Sequence, residues 1–253
     1  MKPFILKETN WKTVKDQKVE LAVLPWGATE AHNYHLPYAS DDIMVQAVAA
    51  ASAEAAWNKG AKVIVLPSIP FGVNTGQLDI KLNINLNPST QFAILNDVID
   101  VLNRHEIYKF MILNGHGGND FKQIIRELGF RYQKMFICNC NWFQTFKGSD
   151  YFENPGDHAD EMETSIMLHV APELVLPLSE AGKGESRKLK IKSFSEKWAW
   201  TERKWTKVTK DTGIGDPSKA TPEKGEKCFQ EIVKKISNLM VELSAADIND
   251  MYE

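Results

Sequence analysis

The sequence predicts an α/β fold, with a mainly parallel sheet covered by helices on both faces. Three observations carry this. Short apolar runs alternate with stretches of helical period between residues 19 and 139, Gly60 and Pro88 punctuate that alternation, and polar glycine-containing segments follow the first and third apolar runs. The 253 residues are 43% hydrophobic and 25% charged, ordinary values for a chain long enough to bury a large core. No linker rich in Pro, Gly or Ser and no repeat interrupts them, so a single domain over 1–253 is expected.

The elements follow in order. Val19 to Leu24 reads as a buried strand, Asp42 to Lys59 as an Ala-rich helix closed by Gly60, and Ala61 to Leu66 as a second strand. Pro88-Ser-Thr-Gln opens a helix running to about Arg104, striped by Ile94, Leu95, Val98 and Val101 or Leu102. Tyr108 to Leu113 is a third strand. Phe121, Ile124, Ile125 and Leu128 then recur at helical spacing, with Asn119 placed to cap that helix, and Met135 to Asn139 is a fourth strand. The tail is a long helix, because Cys228, Phe229, Ile232, Val233, Ile236, Leu239, Met240 and Leu243 recur every 3.6 residues.

Composition excludes several classes. A net charge of -3 leaves no nucleic-acid footprint. The one basic stretch, 183–210, contains Arg187-Lys188-Leu-Lys190 and the lysines from Lys204 to Lys210, and reads as a solvated excursion. Cys138, Cys140 and Cys228 form no framework, which points to reduced thiols, and Cys138 and Cys140 share one strand face as core packing. Met1 to Lys7 holds only a three-residue apolar run and no segment approaches a membrane span, so a cytoplasmic protein with no membrane partner is expected.

Three polar clusters carry the chemistry. Glu30-Ala-His32-Asn-Tyr-His35 and Asp41 follow the run Leu21 to Pro25. Asn114-Gly-His116-Gly-Gly-Asn119 follows Phe110 to Leu113, and Asp157-His158-Ala-Asp160-Glu161-Met-Glu163 comes forty residues later. Glu30 and His32 are two apart, which places both on one side of an extended segment. Their position at the carboxyl ends of strands is where open α/β sheets bind ligands. Carboxylate with imidazole suits Zn²⁺ or Mn²⁺ better than Ca²⁺ or Mg²⁺. Glycines beside His116 let the backbone approach a ligand, and no nucleotide-binding glycine pattern is present.

Glu30-Ala-His32 with His35-Leu-Pro and Asp41, then Asn-Gly-His116-Gly-Gly-Asn, then His158-Ala-x-x-x-Glu163-Thr-Ser, resembles the creatininase (creatinine amidohydrolase) family. Gly213-Ile-Gly-Asp-Pro217-Ser-Lys-Ala-Thr221-Pro-Glu-Lys-Gly225 is similar to its closing motif. The resemblance implies a three-layer αβα hydrolase, commonly a homohexamer, with two divalent metal ions per subunit, Zn and/or Mn. Glu30, Asp41 and His116 would hold one ion, and His32, Asp41 and Glu163 the other. Some members supply the last carboxylate from the position of Gly118, which cannot ligate. His158 matches the catalytic histidine, with Asp160 or Asp157 placed to orient it and Glu163 completing the catalytic pair. Trp142 matches a substrate-side tryptophan, and Gly117 and Gly118 supply substrate-side backbone.

The implied reaction is hydrolysis of a C–N bond in a small cyclic amide such as creatinine, by a hydroxide bridging the metals, with His158 moving the proton. The chain departs from the family at Asn33-Tyr34, where Gly-Pro is usual, at Asp160, where Gly is usual, and across 71–86, where a His and a Pro-Gly-Thr are missing. A second expected tryptophan is replaced around Asn154-Pro155. The altered 71–86 segment favours a relative acting on another substrate, such as a formamide-bearing base, a modified peptide or a cyclic sugar derivative. The competing class is a non-catalytic metal-binding protein. Trp198, Trp200 and Trp205 stay outside the expected site.

Overall fold

A computed structural model describes residues 2–253. Four strands form one sheet: β1 (Leu21–Trp26), β2 (Val63–Val65), β3 (Lys109–Asn114) and β4 (Phe136–Asn141). Their order is β2-β1-β3-β4 and every pairing is parallel. Five longer helices accompany them: α1 (Ser40–Asn58), α2 (Pro88–Arg104), α3 (Lys122–Arg131), α4 (Glu161–Val170) and α5 (Pro222–Ala245).

Strand alternation builds the layers. Leu21 and Val23, Val63 and Val65, and Met111 and Leu113 face one core shared with Met44, Val45 and Val48 of α1, Ile166 and Met167 of α4, and Ile232, Ile236 and Met240 of α5. Ala22, Leu24 and Trp26, Ile64, and Phe110 and Ile112 face the other, against Leu95 and Ile99 of α2 and Ile124 and Leu128 of α3. The central strands β1 and β3 are thus buried on both faces, which explains their near-continuous apolar runs, whereas the edge strand β4 is half-buried and carries Asn139 and Asn141. The expected α/β architecture with an αβα layering is what the chain adopts.

The elements stand where the periodicity placed them, with shifted ends. β1 and β3 extend beyond Leu24 and Leu113 because ladder pairing continues through Trp26↔Asn114, and β2 keeps only three residues. The helix after the His116 loop begins at Lys122 with Phe121 at its N-cap, so Asn119 does not cap it. Cys138 and Cys140 pack against the first core as free thiols, with burial pushing them up to about 12 and about 11. Among the described residues no helix is long and apolar enough to cross a membrane.

The topology also fixes the site. From β1 the chain crosses to β2 on one side and returns to β3 on the other, so a crevice opens between the carboxyl ends of β1 and β3.

Candidate metal centre

Three segments meet at that crevice. Residues 27–39 leave β1 and carry Glu30 and His32, the first turn of α1 brings in Asp41, and His116 follows β3 by two residues. His158 and Glu163 arrive from the start of α4, where Asp160 is the N-cap and accepts from the amides of Met162 and Glu163 at 3.0 Å each. Glu30, His32, Asp41, His116 and His158 are all buried, and the Glu163 side chain is 12% exposed.

The His116 loop is shaped by its asparagines. Asn114 accepts from the His116 amide at 3.2 Å and donates to the His116 carbonyl at 2.9 Å. Asn119 accepts instead from the Val73 amide at 3.0 Å and from Gln91 at 2.8 Å, so it ties the loop to neighbouring segments. A Cβ on Gly118 would lie 2.4 Å from His116 Nε2 and 2.4 Å from the Val73 carbonyl, whereas one on Gly117 would meet nothing. Gly118 is therefore required for a steric reason as well as being unable to ligate.

The three histidines obey one rule. His32 Nδ1 lies 3.0 Å from the Glu30 carbonyl, His116 Nε2 3.0 Å from the Val73 carbonyl, and His158 Nε2 2.9 Å from the Ala31 carbonyl. A carbonyl only accepts, so each of these nitrogens carries the proton and the opposite nitrogen turns inward. His32 Nε2 is 3.2 Å from Asp41 Oδ1 and 4.0 Å from Glu163 Oε2. His116 Nδ1 is 2.8 Å from Glu30 Oε1 and 3.0 Å from Asp41 Oδ2. His158 Nδ1 is 3.8 Å from Glu30 Oε1.

Nitrogen lone pairs aimed at carboxylates repel unless a cation or proton lies between them, and Asp41 Oδ2 is buried without a hydrogen bond. Glu30, Asp41 and His116 form one trio with ligand atoms within 4.8 Å of each other, and His32, Asp41 and Glu163 form a second. Asp41 belongs to both, one oxygen toward each. The donor set of imidazole and carboxylate fits divalent transition ions.

Protonation in the metal-free protein reports the same strain. Burial opposes a charged imidazole, yet Asp41, with Glu163 and Glu30 behind it, raises His32 to about 10, and Glu30 with Asp41 raises His116 well above its ordinary value. Burial also opposes an ionised Asp41, but His32 and His116 hold it well below the carboxylate range. Burial pushes Glu163 up to about 8 against the pull of His32. His158 is lowered, by burial and then by His32.

The orientation of His158 differs from expectation. Asp160 is committed to the helix N-terminus and to the Gly156 amide at 2.6 Å, and Asp157 pairs with Arg203. Neither is bonded to the imidazole. The ring is held by the Ala31 carbonyl, by the His32 ring at 4.2 Å and by Trp205, which meets it edge-on at 5.3 Å and 90°.

A cavity of about 700 Å³ opens on these groups, with Gly117 and Gly118 in its lining. Trp142 is not in that lining. It is fully buried in the first core, because its strand continues into a tight turn that points its side chain inward, and its neighbours Asn141 and Phe143 line the cavity instead. The far wall is Trp200 to Arg203 with Trp205, so the Lys-rich excursion ends as part of the site.

Sequence reading also missed Gln77. Its amide donates to Glu30 Oε2, and Asn83 donates to Gln77 Oε1 at 2.5 Å while accepting from the Ala31 amide at 2.9 Å. Only the departure of 71–86 from the family pattern signalled that this segment was special.

Comparison with known proteins bears on the fold and the family. The family model "Creatininase: Creatinine amidohydrolase" matches residues 7–240. A candidate creatinine amidohydrolase from Bacteroides fragilis superposes with a TM-score of 0.94 at 44% identity, covering 100% of both chains. A manganese form of creatininase gives 0.76 at 21% identity over 96% of this chain and 99% of that one, and a Zn–Zn form of a creatininase mutant gives 0.75 at 20% over 97% and 100%. A mycofactocin precursor peptide peptidase of Mycolicibacterium smegmatis is 24% identical over 217 residues, 85% of this chain and 82% of the peptidase. With the family model spanning nearly the whole sequence, the chain belongs to the creatininase family.

Proposed function

We propose that the protein is a metal-dependent amidohydrolase that cleaves a C–N bond, with Glu30, Asp41 and His116 holding one divalent ion and His32, Asp41 and Glu163 a second. The observation that carries this is Asp41, whose two buried oxygens face His32 and His116 separately, as a bridging carboxylate does. Ions held there would polarise a carbonyl and lower the pKa of water, so that a nucleophile exists near neutral pH.

His158 is the proton carrier, and its hydrogen bond to Ala31 assigns the atom. With Nε2 spent on that carbonyl, the proton is taken up and delivered at Nδ1, the nitrogen turned toward Glu30. Glu163 enters from the same turn of chain, serving the reaction as a ligand. Gly117 leaves open space beside His116 where a substrate backbone can approach.

The first substrate class is a small cyclic amide such as creatinine. A second reading, an amide within a longer molecule such as a peptide, is favoured by the cavity of about 700 Å³, a volume that suits drug-sized ligands. The similarity to a peptide peptidase supports it too. Resemblance to the family supports a homohexamer, the lack of a linker supports a single domain, and the free thiols support a cytoplasmic setting.

The test is elemental analysis of the protein and of Glu30→Gln, Asp41→Asn, His116→Ala and Glu163→Gln, with hydrolysis of creatinine and of short peptides. About two ions per chain, lost in the variants together with activity, are expected. A protein that neither carries nor recruits metal would overturn the reading.

A further inference from the structure

We infer that Trp205 is a positioning residue for His158, delivered by a strap of chain that the metal ligands do not require. The inference rests on the reading of His158 as the proton carrier. Among the described residues the His158 side chain has one hydrogen bond, to the Ala31 carbonyl, and that bond alone leaves its ring free to tilt about the bonded nitrogen. The His32 ring blocks one direction at 4.2 Å, and the Trp205 indole blocks another, perpendicular at 5.3 Å. Edge-to-face contact at this distance is attractive and directional.

The indole does not act by itself on a proton. Its N–H donates to the Thr212 carbonyl at 3.1 Å, and it has no acceptor. Trp205 is 6% exposed although it lines the cavity, so its ring is packed rather than displayed.

What holds it there is a set of ties on both sides of the cavity. The Arg203 guanidinium lies 4.6 Å over the Trp205 ring and pairs with Asp157, the residue before His158. Glu202 accepts from Thr75, and Thr206 reaches Asp79 at 3.3 Å. A Cβ on Gly76 would sit 2.2 Å from the Arg203 carbonyl, so the strap lies directly against the 71–86 segment. That segment also carries Gln77, the partner of Glu30. The strap and the 71–86 segment, where the chain departs from its family, are therefore joined over the site, the strap reaching the proton carrier through Trp205 and the segment reaching Glu30 through Gln77.

Crystal structures of Trp205→Ala and Trp205→Phe, soaked with Mn²⁺ alone, give a readout independent of turnover. In Trp205→Ala the His158 ring is expected to leave the Ala31 carbonyl or spread over several rotamers while Glu30, His32, Asp41, His116 and Glu163 stay in place. Trp205→Phe should restore the ring, and Trp205→Leu, which keeps apolar bulk, covers failure of the alanine variant to fold. On an amide the enzyme hydrolyses, kcat should fall about 10- to 100-fold, with KM little changed, and Trp205→Ala should add nothing in a His158→Gln background. A His158 ring unmoved in Trp205→Ala, or a loss that persists undiminished in the His158→Gln background, overturns the inference. Full turnover in His158→Ala would instead sink the role of His158, and the ring position in the crystal would still decide whether Trp205 holds it.

Discussion

Gln77 holds no metal-ligand position, yet it settles how Glu30 uses its two oxygens. Oε2 is engaged by the Gln77 amide, which leaves Oε1 facing His116. Partners of this kind set ligand orientation and are worth roughly 10- to 100-fold in metal affinity. Gln77→Leu is therefore expected to weaken one of two ions by that factor while leaving the fold intact, measured by competition with a fluorescent chelator. Two equal, unweakened sites would remove Gln77 from the centre. The contrast with the ligands explains what the sequence discloses. Glu30, His32, Asp41, His116 and Glu163, the proposed ligands, stand out in the sequence because metal chemistry would restrict each position to a few residue types after a strand or at a helix start. A glutamine in a loop has no such signature, and neither does Trp205, whose role depends on a fold-back of almost fifty residues. Trp142, buried in the first core, shows the converse: a motif match gives a position along the chain but not the direction of a side chain.

At the scale of elements, α4 is the one whose placement matters most, since it delivers both His158 and Glu163. Its start is built by Asp160, which caps two amides, and by Ala159 at φ 49, which turns the chain sharply before the cap. The Glu163 carboxylate reaches back to the Ala159 amide at 2.5 Å, a reciprocal closure of the same end. Asp160→Ala should cost about 1 kcal/mol by loss of the cap and weaken metal binding at Glu163, whereas Asp160→Asn should retain most of the stability. Thermal melts with metal titration check both, and an alanine variant with full stability would show that the cap is idle. Helix α4 also lies hard against α5. A Cβ on Gly225 would fall 1.9 Å from the Ser165 carbonyl, so Gly225→Ala should force the helices apart at a cost of about 1–3 kcal/mol. The periodic stripe made α5 easy to see in the sequence. Its close approach to α4 was not visible, because a glycine inside a helix looks the same whether it packs or merely weakens.

For the whole molecule the proposed centre would act as a staple. The proposed ligands come from residues 30 to 163 and from both sides of the β1–β3 crevice, so metal binding there would be coupled to folding. Ions at one hundred times their dissociation constant add about 2.7 kcal/mol, and chelation should lower Tm by roughly 5–10 °C for a chain of this size. The pH dependence of the metal-free protein sharpens the test. His32 rises from 6.5 to about 10 on folding, so the stability it contributes is complete below pH 6.5 and is lost as pH climbs through 10. Glu163 rises from 4.5 to about 8 and acts in the same direction over a lower window. Between pH 6.5 and 9 the folded apoprotein thus holds more protons than the unfolded chain, and its stability falls with a slope of about 1.4 kcal/mol per pH unit for each such proton. Bound ions displace those protons, so the loaded protein escapes that loss and the gap in Tm between loaded and chelated protein should widen from pH 6.5 to pH 9. Calorimetry at matched ionic strength checks this, and a gap that stays constant would mean that protons and metal do not compete for the Asp41 cluster.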